Sequence, residues 1–403
     1  MESVETVVVG AGQAGLSVSH CLKELGQEHV VLERGDVGET WRRERWDSFR
    51  LNTPARWLRL PGHQYAGAEP DDFLTRDEAV AYFEGYAAAI GGEIRTGVEV
   101  RSVRRRDDGR FELETSDGSY TSANVVVASG SFRLPTPRPP GQGPFELHAS
   151  QYRNPDQLPD GGVLVVGSGQ SGCQIAAELN RADRDVYLSV GRCPSVPLWY
   201  RGRSIYDWYV DSGLLDDTVE TLPSPAARLV CNPTITSADV PHLVGPRRLA
   251  REGVTLVGRL QALDGDRAAF AGDANLRLTE GDEAVAGFKR RFDDHAASVG
   301  DKLTEDDAAP EEPRAVPEVR ELDLRGAGVG SVLWANGWRP DYGWIDLPIF
   351  DEHGWPRQTR GSSEVDGLYF VGLHWLHKRK STLLVGVAED ARHVAGELAA
   401  RRG

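Results

Sequence analysis

The stretch VLVVGSGQSGCQIAAEL, residues 163–179, places an apolar strand, a Gly-x-Gly-x-x-Gly turn and an apolar-faced helix in direct succession. The chain opens with the same arrangement in TVVVGAGQAGLSVSHCL, residues 6–22. In a strand–turn–helix of this kind, the first glycine permits a tight turn, the second lets the backbone approach a pyrophosphate, and the third lets the helix pack on the strand. One such turn predicts one dinucleotide site, so the repetition predicts a protein that binds two dinucleotides.

The two turns contribute most of the residues that we predict to bind cofactors. The N-terminus of the helix after each turn offers unpaired backbone N–H groups to a phosphate. The first turn supplies Gly10, Gly12, Gln13 and Gly15, and the second supplies Gly167, Gly169, Gln170, Ser171 and Gly172.

The residues that follow the turns indicate two different nucleotides. Glu33 ends the strand after the first helix, 21 residues beyond Gly12, where a carboxylate accepts a hydrogen bond from a ribose 2′-hydroxyl. That position favours the unmodified ribose of FAD. The strand after the second turn, residues 186–190, ends without an acid and is followed by Arg192. An arginine binds a 2′-phosphate that a carboxylate would repel, so NADPH is favoured over NADH; an exposed strand-end arginine is the alternative.

Composition excludes several classes of partner. The chain of 403 residues carries 46 lysines and arginines against 61 aspartates and glutamates, a formal charge of −15. Such a charge repels nucleic acid and anionic membrane surfaces. The four cysteines form no close pair, so neither disulfides nor a redox dithiol are expected, and no metal site is predicted. No apolar run reaches the length of a membrane-spanning helix, which predicts a soluble, cytoplasmic protein.

Periodicity predicts the coarse organisation between and after the two turns. Residues 41–61, rich in arginine and tryptophan without a clear period, are predicted to form a long functional loop. Alternating runs between residues 98 and 127 predict a small antiparallel meander. A helix is expected over residues 282–297, a solvated acidic connector over 304–318, and a last helix from about 383 to 401.

Several motifs occur in the order and spacing of a known family. They are GAGQAG (10–15), GETW (38–41), ASGSFRLPTPRPP (128–140), GSGQSG (167–172) and WANGWRPD (334–341). In these motifs the chain resembles the flavin-containing monooxygenases, the class B flavoprotein monooxygenases. Its closing GLYFVGLHWLHKRKSTLLVGVAEDA, residues 367–391, is similar to the same part of plant indole-3-pyruvate monooxygenases and their bacterial relatives.

The resemblance implies an α/β fold with two Rossmann-like dinucleotide-binding domains. Residues 1–158 would form the first part of an FAD-binding domain and residues 320–403 its second part. The NADPH-binding domain, residues 159–319 with an insertion, would interrupt it. The helix predicted to begin near Thr382 would point its N-terminus at the flavin pyrimidine edge.

The resemblance also implies an activity. NADPH would reduce FAD, O₂ would add to the flavin C4a, and the resulting C4a-(hydro)peroxyflavin would insert one oxygen atom into a small organic substrate at nitrogen, sulfur or a keto-acid carbonyl. The cofactor carries this chemistry, so the protein mainly positions it and excludes water.

A further set of site residues is implied by the same resemblance. Asn52 is the candidate catalytic residue, with a plain turn asparagine before Pro54 as the alternative. Trp41 and Trp46 would pack near the flavin, although ordinary core aromatics would look the same. The other cofactor-binding candidates are Val100, Gly130, Gly372 and Leu384, and the substrate-pocket candidates are His374 and Trp375.

Two other functions stay open at this point. The first is an FAD-dependent NADPH reductase that passes electrons to a carrier protein. The second is a nucleotide-binding redox sensor without turnover. The expected partners are a small-molecule substrate and O₂, and assembly as a homodimer is left open.

Overall fold

The computed structural model describes residues 1–230, 232–305 and 315–401. Cys231 therefore lies outside the described residues, and so do residues 306–314 of the expected acidic connector. The α-helices of the described residues are α1 Gln13–Glu24, α2 Glu39–Arg43, α3 Arg76–Ile90, α4 Gln170–Arg181, α5 Ile205–Asp211, α6 Pro246–Arg251, α7 Ala274–Val299 and α8 Val387–Ala400.

The larger sheet has nine strands. Its central strands, which include the first strand of the chain, run parallel to one another. Valines supply its buried core, and Val7 and Val8 are fully buried. Such continuous apolar runs are typical of parallel strands covered on both faces. Seven strands lie side by side in the order Gln358–Thr359, Ser362–Ser363, Leu368–Phe370, Ser119–Val127, Glu2–Val9, Val30–Leu32 and Ile94–Arg95.

The predicted meander is confirmed as an antiparallel extension of this sheet. Val100–Arg105 pairs with Phe111–Thr115, which in turn pairs with Ser119–Val127. The last of these strands then runs parallel to Glu2–Val9. The meander thus leads the chain back to the centre of the sheet, directly beside the first glycine turn.

The second sheet is entirely parallel and contains the second glycine turn. Its strands lie in the order Phe145–His148, Val329–Trp334, Gly162–Val166, Val186–Ser189 and Thr255–Val257. Two of them, Phe145–His148 and Val329–Trp334, lie outside the range 159–319 that the sequence assigned to the second unit. Their side-by-side pairing joins residues 186 positions apart, which periodicity along the chain does not reveal.

Short ribbons complete the strands of the described residues. Their pairs are Arg59–Leu60 with His63–Gln64, Leu134–Pro135 with Trp338–Arg339, Ser195–Pro197 with Thr234–Thr236, and Trp199–Tyr200 with Arg203–Ser204, while Leu260–Asp264, Arg267–Phe270 and Glu321–Asp323 form a three-stranded sheet.

The two glycine turns have nearly identical geometry. Gly10 and Gly167 have φ angles of +109° and +111°, which side chains disfavour. A Cβ on Gly15 would lie 1.8 Å from the carbonyl oxygen of Gly10, and a Cβ on Gly172 would lie equally close to that of Gly167. The first and third glycines are therefore required by the backbone itself.

Two helix boundaries differ from the sequence prediction. Helix α7 begins at Ala274, eight residues before the predicted start. Gly281 lies inside the helix, where a Cβ would be 3.2 Å from the carbonyl oxygen of Cys193. Helix α8 begins at Val387 and not near Thr382, since the chain turns through residues 382–386. The predicted helix N-terminus at Thr382 is therefore wrong.

The helices of the described residues include none that is long and apolar enough to cross a bilayer. Cys21, Cys173 and Cys193 are buried and carry their sulfur as thiols.

Candidate cofactor site

A cavity of about 390 Å³ lies where the parallel strands of the larger sheet end at their carboxyl termini. Ligands of open α/β sheets bind in crevices at this edge. Ten sequence-predicted residues line it, namely Gly10, Gly12, Gln13, Glu33, Trp41, Asn52, Val100, Gly130, Gly372 and Leu384. The fold thus brings together candidates that are spread over more than 370 positions of the chain.

Glu33 is held rigidly at the rim of this cavity. Its side chain is 8% exposed, and its carboxylate accepts hydrogen bonds from the Ala11 N–H at 2.7 Å and the Gly35 N–H at 2.9 Å. A carboxylate has about four acceptor positions, so these two bonds leave capacity for a hydroxyl donor. Glu33 therefore fixes the first glycine turn and still presents an acceptor to a ligand.

Gln13 connects the first turn to the far wall of the cavity. Its Nε2 donates to the Thr382 carbonyl oxygen at 2.5 Å, and the Thr382 hydroxyl donates to the carbonyl oxygen of Gly372 at 3.1 Å. Residues 382–386, where the sequence predicts the start of the last helix, thus form a turn that side-chain hydrogen bonds hold in place. Thr382 and Leu384 line the cavity from this turn.

An aromatic and cationic group forms another wall, and sequence reasoning missed part of it. Trp41 packs against Phe83 with ring centroids 5.9 Å apart, and the Arg45 guanidinium lies 5.3 Å from the Trp41 ring. Burial lowers the pKa of Arg45 from its ordinary value. The available signal for Arg45 and Trp57 was the predicted functional loop 41–61 in which both lie.

Phe132 and Arg133 were missed in the same way. Both line the cavity and both lie within the motif at 128–140 that carries the family resemblance. Burial also lowers the pKa of Arg133, with the neighbouring Arg34 as a second cause. Which side chains of the motif face the cavity depends on the turn that follows the strand Ser119–Val127, and the motif alone does not reveal it.

Apart from the second glycine turn and Arg192, four predicted residues lie elsewhere than in the cavity wall. Gly15 packs against Gly10, and Trp46 is 3% exposed in the core, edge-on to Phe49 at 5.0 Å. His374 and Trp375 are also buried behind the wall. The His374 N–H donates to the Ser131 hydroxyl at 3.0 Å, and burial lowers the pKa of its imidazole to about 4.

The second glycine turn lies beside the cavity, and one side chain bridges the two. Gln170 begins α4 directly after Gly169, and its Oε1 lies 3.4 Å from Asn52 Nδ2. Ser171 is the second residue of the same helix, and Arg192 follows the strand Val186–Ser189 of the second sheet. A Cβ on Gly169 would meet nothing within 4 Å, as on Gly12, so both turns leave open space beside the backbone.

Asp390 of α8 is a buried carboxylic acid behind the cavity wall. Its side chain is 2% exposed, its Oδ1 lies 4.0 Å from His377 Nδ1, and burial raises its pKa from 3.8 to about 6. Because its pKa is higher in the folded state, the native protein binds this proton more tightly than the unfolded chain. The stability that the neutral acid contributes is therefore lost as the pH rises from about 4 to about 6.

We expect Asp390→Asn to raise the free energy of unfolding at pH 8 by about 2–3 kcal/mol and to leave it nearly unchanged at pH 4. An amide matches the neutral acid in shape and avoids the buried charge. Urea titrations of the variant and the unmodified protein at both pH values measure the difference. An equal change at the two pH values would contradict the pKa assignment.

Three features lie together: the first glycine turn with the buried Glu33, the adjoining cavity, and the second glycine turn. They define a dinucleotide-binding oxidoreductase of the two-nucleotide type. Within residues 1–230, 232–305 and 315–401, no three histidine, cysteine or acidic side chains gather into a potential metal site.

Comparisons with known proteins give the family. The model of the pyridine nucleotide-disulphide oxidoreductase family matches residues 7–195. An uncharacterized CzcO-like oxidoreductase of Geobacillus kaustophilus is 32% identical over 98% of both chains. A probable indole-3-pyruvate monooxygenase, YUCCA1 of Arabidopsis thaliana, is 26% identical over 97% of this chain and 89% of its own. The structure is similar to a flavin-containing monooxygenase from Stenotrophomonas maltophilia, with a TM-score of 0.70 and 20% identity over all of both chains.

The chain belongs to the family of the CzcO-like oxidoreductases. It is an enzyme of the flavin-dependent monooxygenase and oxidoreductase class, as its motifs predicted. A similar solved structure, the OTEMO protein, is a complex with FAD and NADP, with a TM-score of 0.56 and 16% identity over 99% of this chain and 86% of that one.

Proposed function

We propose that the protein is an NADPH- and O₂-dependent FAD monooxygenase that transfers one oxygen atom to a small organic substrate. The acceptor atom is a nitrogen, a sulfur or a keto-acid carbonyl carbon. The observation that carries the proposal is the contact between the two halves of the site: Asn52, in the wall of the cavity, meets Gln170, the first helical residue after the second glycine turn. A donor and an acceptor nucleotide bound at these places would be adjacent.

The residues of the cavity fit FAD. The open space beside Gly12 suits a pyrophosphate, the N-terminus of α1 faces it, and Glu33 offers an acceptor to the adenosine ribose. The second turn has the same open space at Gly169, and Arg192 follows the strand Val186–Ser189, the part of such a fold from which an arginine binds a 2′-phosphate. We therefore assign FAD to residues 1–158 and 320–403 apart from the strands Phe145–His148 and Val329–Trp334, which belong with residues 159–319 to the NADPH-binding part.

When bound, the pair of cofactors supplies hydride transfer from NADPH to FAD and the reaction of reduced flavin with O₂. The chain's own residues orient and protect that chemistry. The Asn52 amide has two N–H donors, so one remains for a ligand in the cavity while the other faces Gln170. Trp41, Trp57 and Phe132 contribute apolar surface to the cavity wall, which would limit the access of water to a bound flavin.

Rapid mixing tests this function against the reductase alternative. The FAD-loaded protein is reduced anaerobically with NADPH, mixed with oxygenated buffer, and followed with a panel of amines, thioethers and keto acids. Oxygen consumption coupled to an oxygenated product supports the proposal. Rapid electron transfer to a ferredoxin, with oxygen giving only peroxide under every substrate, would overturn it.

We expect Arg192→Ala to raise the KM for NADPH about 10- to 100-fold and to change the KM for NADH little. The loss of a charged hydrogen bond to the 2′-phosphate costs roughly 1.5–3 kcal/mol, and NADH has no such phosphate. Steady-state reduction of the flavin with each coenzyme measures both constants. Equal increases for the two coenzymes would remove the argument for 2′-phosphate recognition by Arg192.

A further inference from the structure

Three side chains from distant parts of the chain form hydrogen bonds with the loop that contains Leu51 and Asn52. The Tyr206 hydroxyl donates to the carbonyl oxygen of Asn52. The His242 ring nitrogen Nε2 lies 3.1 Å from the Leu51 carbonyl oxygen. Gln170 Oε1 accepts from the Asn52 side-chain amide at 3.4 Å. The three partners lie 118 to 191 positions further along the chain, so only tertiary structure joins them to this loop.

Burial favours the protonated hydroxyl of Tyr206 and the neutral ring of His242. Tyr206 is 2% exposed, and burial raises its pKa well above the ordinary value, so its hydroxyl remains a donor. Burial lowers the pKa of His242 to about 4, so its ring is neutral under ordinary conditions. A neutral ring with its proton on Nε2 donates to the Leu51 carbonyl. Both bonds therefore hold at any pH at which the enzyme would be assayed.

Gln170 is the partner that points to a ligand. Its Oε1 already accepts from the Ile235 N–H at 3.2 Å as well as from Asn52. Its Nε2 is buried and has no hydrogen-bond partner among the described residues. A buried amide without an acceptor is costly, so a nearby ligand oxygen would satisfy it. Since Gln170 directly follows Gly169, that oxygen would belong to a nucleotide on the second turn.

The first turn has an equivalent glutamine, and its side-chain amide already has a hydrogen-bond partner. Gln13 occupies the position equivalent to Gln170, directly after the second glycine of its turn. Its Nε2 reaches across to the Thr382 carbonyl oxygen in the cavity wall. In both turns, the first helical residue is thus a glutamine that joins a nucleotide-binding turn to a distant segment of the cavity.

We propose that Gln170, Tyr206 and His242 are positioning residues that clamp residues 51–52, and that a nicotinamide dinucleotide bound on the second turn tightens this clamp through the Gln170 amide. Binding at one turn then orients Asn52 in the cavity of the other. This inference rests on the proposed assignment of NADPH to the second turn. It predicts that the Asn52 amide, already bonded to Gln170, is best ordered when both nucleotides are bound.

Hydrogen exchange on the FAD-loaded protein tests the clamp without turnover. The peptide over residues 50–58 is the reporter, because the Leu51 and Ala55 amides bond to Leu74 and Asp72 and exchange only when the loop opens. In the unmodified protein, saturating NADP⁺ is expected to slow exchange in this peptide. In Tyr206→Phe, exchange without NADP⁺ is expected to be about 3- to 10-fold faster, as for the loss of one hydrogen bond.

The same helix offers a matched control. Tyr209 is buried in α5 one turn from Tyr206, and its hydroxyl has no hydrogen-bond partner among the described residues. Tyr209→Phe is therefore expected to leave exchange in the peptide unchanged. His242→Phe keeps the ring packing on Phe73 and serves as the second clamp variant if Tyr206→Phe does not fold.

Gln170→Leu tests whether NADP⁺ stabilises residues 51–52 through the Gln170 amide, in addition to the contacts that Tyr206 and His242 make without NADP⁺. With this variant we expect NADP⁺, at a concentration that saturates it, to slow exchange in the peptide no more than 2-fold. Equal exchange in Tyr206→Phe and Tyr209→Phe, or full protection by NADP⁺ in Gln170→Leu, would overturn the clamp. A protein that binds neither FAD nor NADP⁺ would instead overturn the proposed function, so the two failures are distinct.

Discussion

Gly12→Ala is expected to yield a protein that no longer retains FAD, whereas Gly169→Ala stays yellow and loses affinity for NADP⁺. A Cβ on either glycine meets no protein atom within 4 Å, and their φ angles of −86° and −71° suit alanine. The fold should therefore tolerate both changes. The new methyl group occupies the space through which a pyrophosphate approaches the backbone, which should weaken binding about 10- to 100-fold.

The flavin-to-protein absorbance ratio after desalting and an NADP⁺ titration of the FAD-loaded protein measure the two effects. Gly85→Ala is the control, because Gly85 is an exposed helical glycine of α3 with open space at its Cβ and lies away from both turns. It should change neither affinity. If Gly169→Ala lost the flavin and Gly12→Ala retained it, the two nucleotides would have to exchange places in the proposed function.

The parts of the fold that the sequence predicted best are those in which local chemistry and tertiary structure require the same residue. Gly10 and Gly15 are needed by the turn whatever surrounds it, since one has a positive φ and the other contacts a carbonyl oxygen. Glu33 must end the next strand in order to reach the backbone of the turn. Requirements of this kind are visible as fixed spacings along the chain.

The predicted site residues that do not line the cavity are those whose position depends on the direction of the side chain and not on residue type. Trp41 lies in the short helix α2 and Trp46 follows it five positions later, yet the first lines the cavity and the second is core. His374 and Trp375 directly follow the cavity segment but turn away from it behind Ser131. An irregular loop has no period from which its inward face can be read.

The helix boundaries failed for a related reason. Gly281 suggests a break in a helix, but here it lets α7 pass close to the backbone at Cys193. Gly386 is not marked as a helix start by any capping side chain, although its Cβ would collide with the Lys380 carbonyl. In both cases a distant or folded-back backbone segment decides the outcome, and propensity along the chain does not contain that information.

Glu33→Leu is expected to destabilise even the protein without nucleotide, by about 2–4 kcal/mol, and to abolish FAD retention. The leucine leaves the buried Ala11 N–H and the partly buried Gly35 N–H without acceptors, and each unsatisfied donor costs about 1–3 kcal/mol. The first turn then loses the group that fixes it to the end of the neighbouring strand. Urea unfolding of the apoprotein measures the first effect and flavin retention the second.

Glu33→Gln separates the structural role of this carboxylate from its proposed role toward the ribose. A glutamine keeps one acceptor oxygen but must turn its NH₂ group toward the other backbone donor, so about half of the loss in stability should remain. Its effect on FAD affinity should be larger than the apoprotein stability alone explains, because the amide also replaces the acceptor offered to the ribose. Should Glu33→Gln bind FAD as the unmodified protein does while its apoprotein is destabilised, Glu33 would act only by holding the first turn, and the choice of an unmodified ribose at this turn would need another cause.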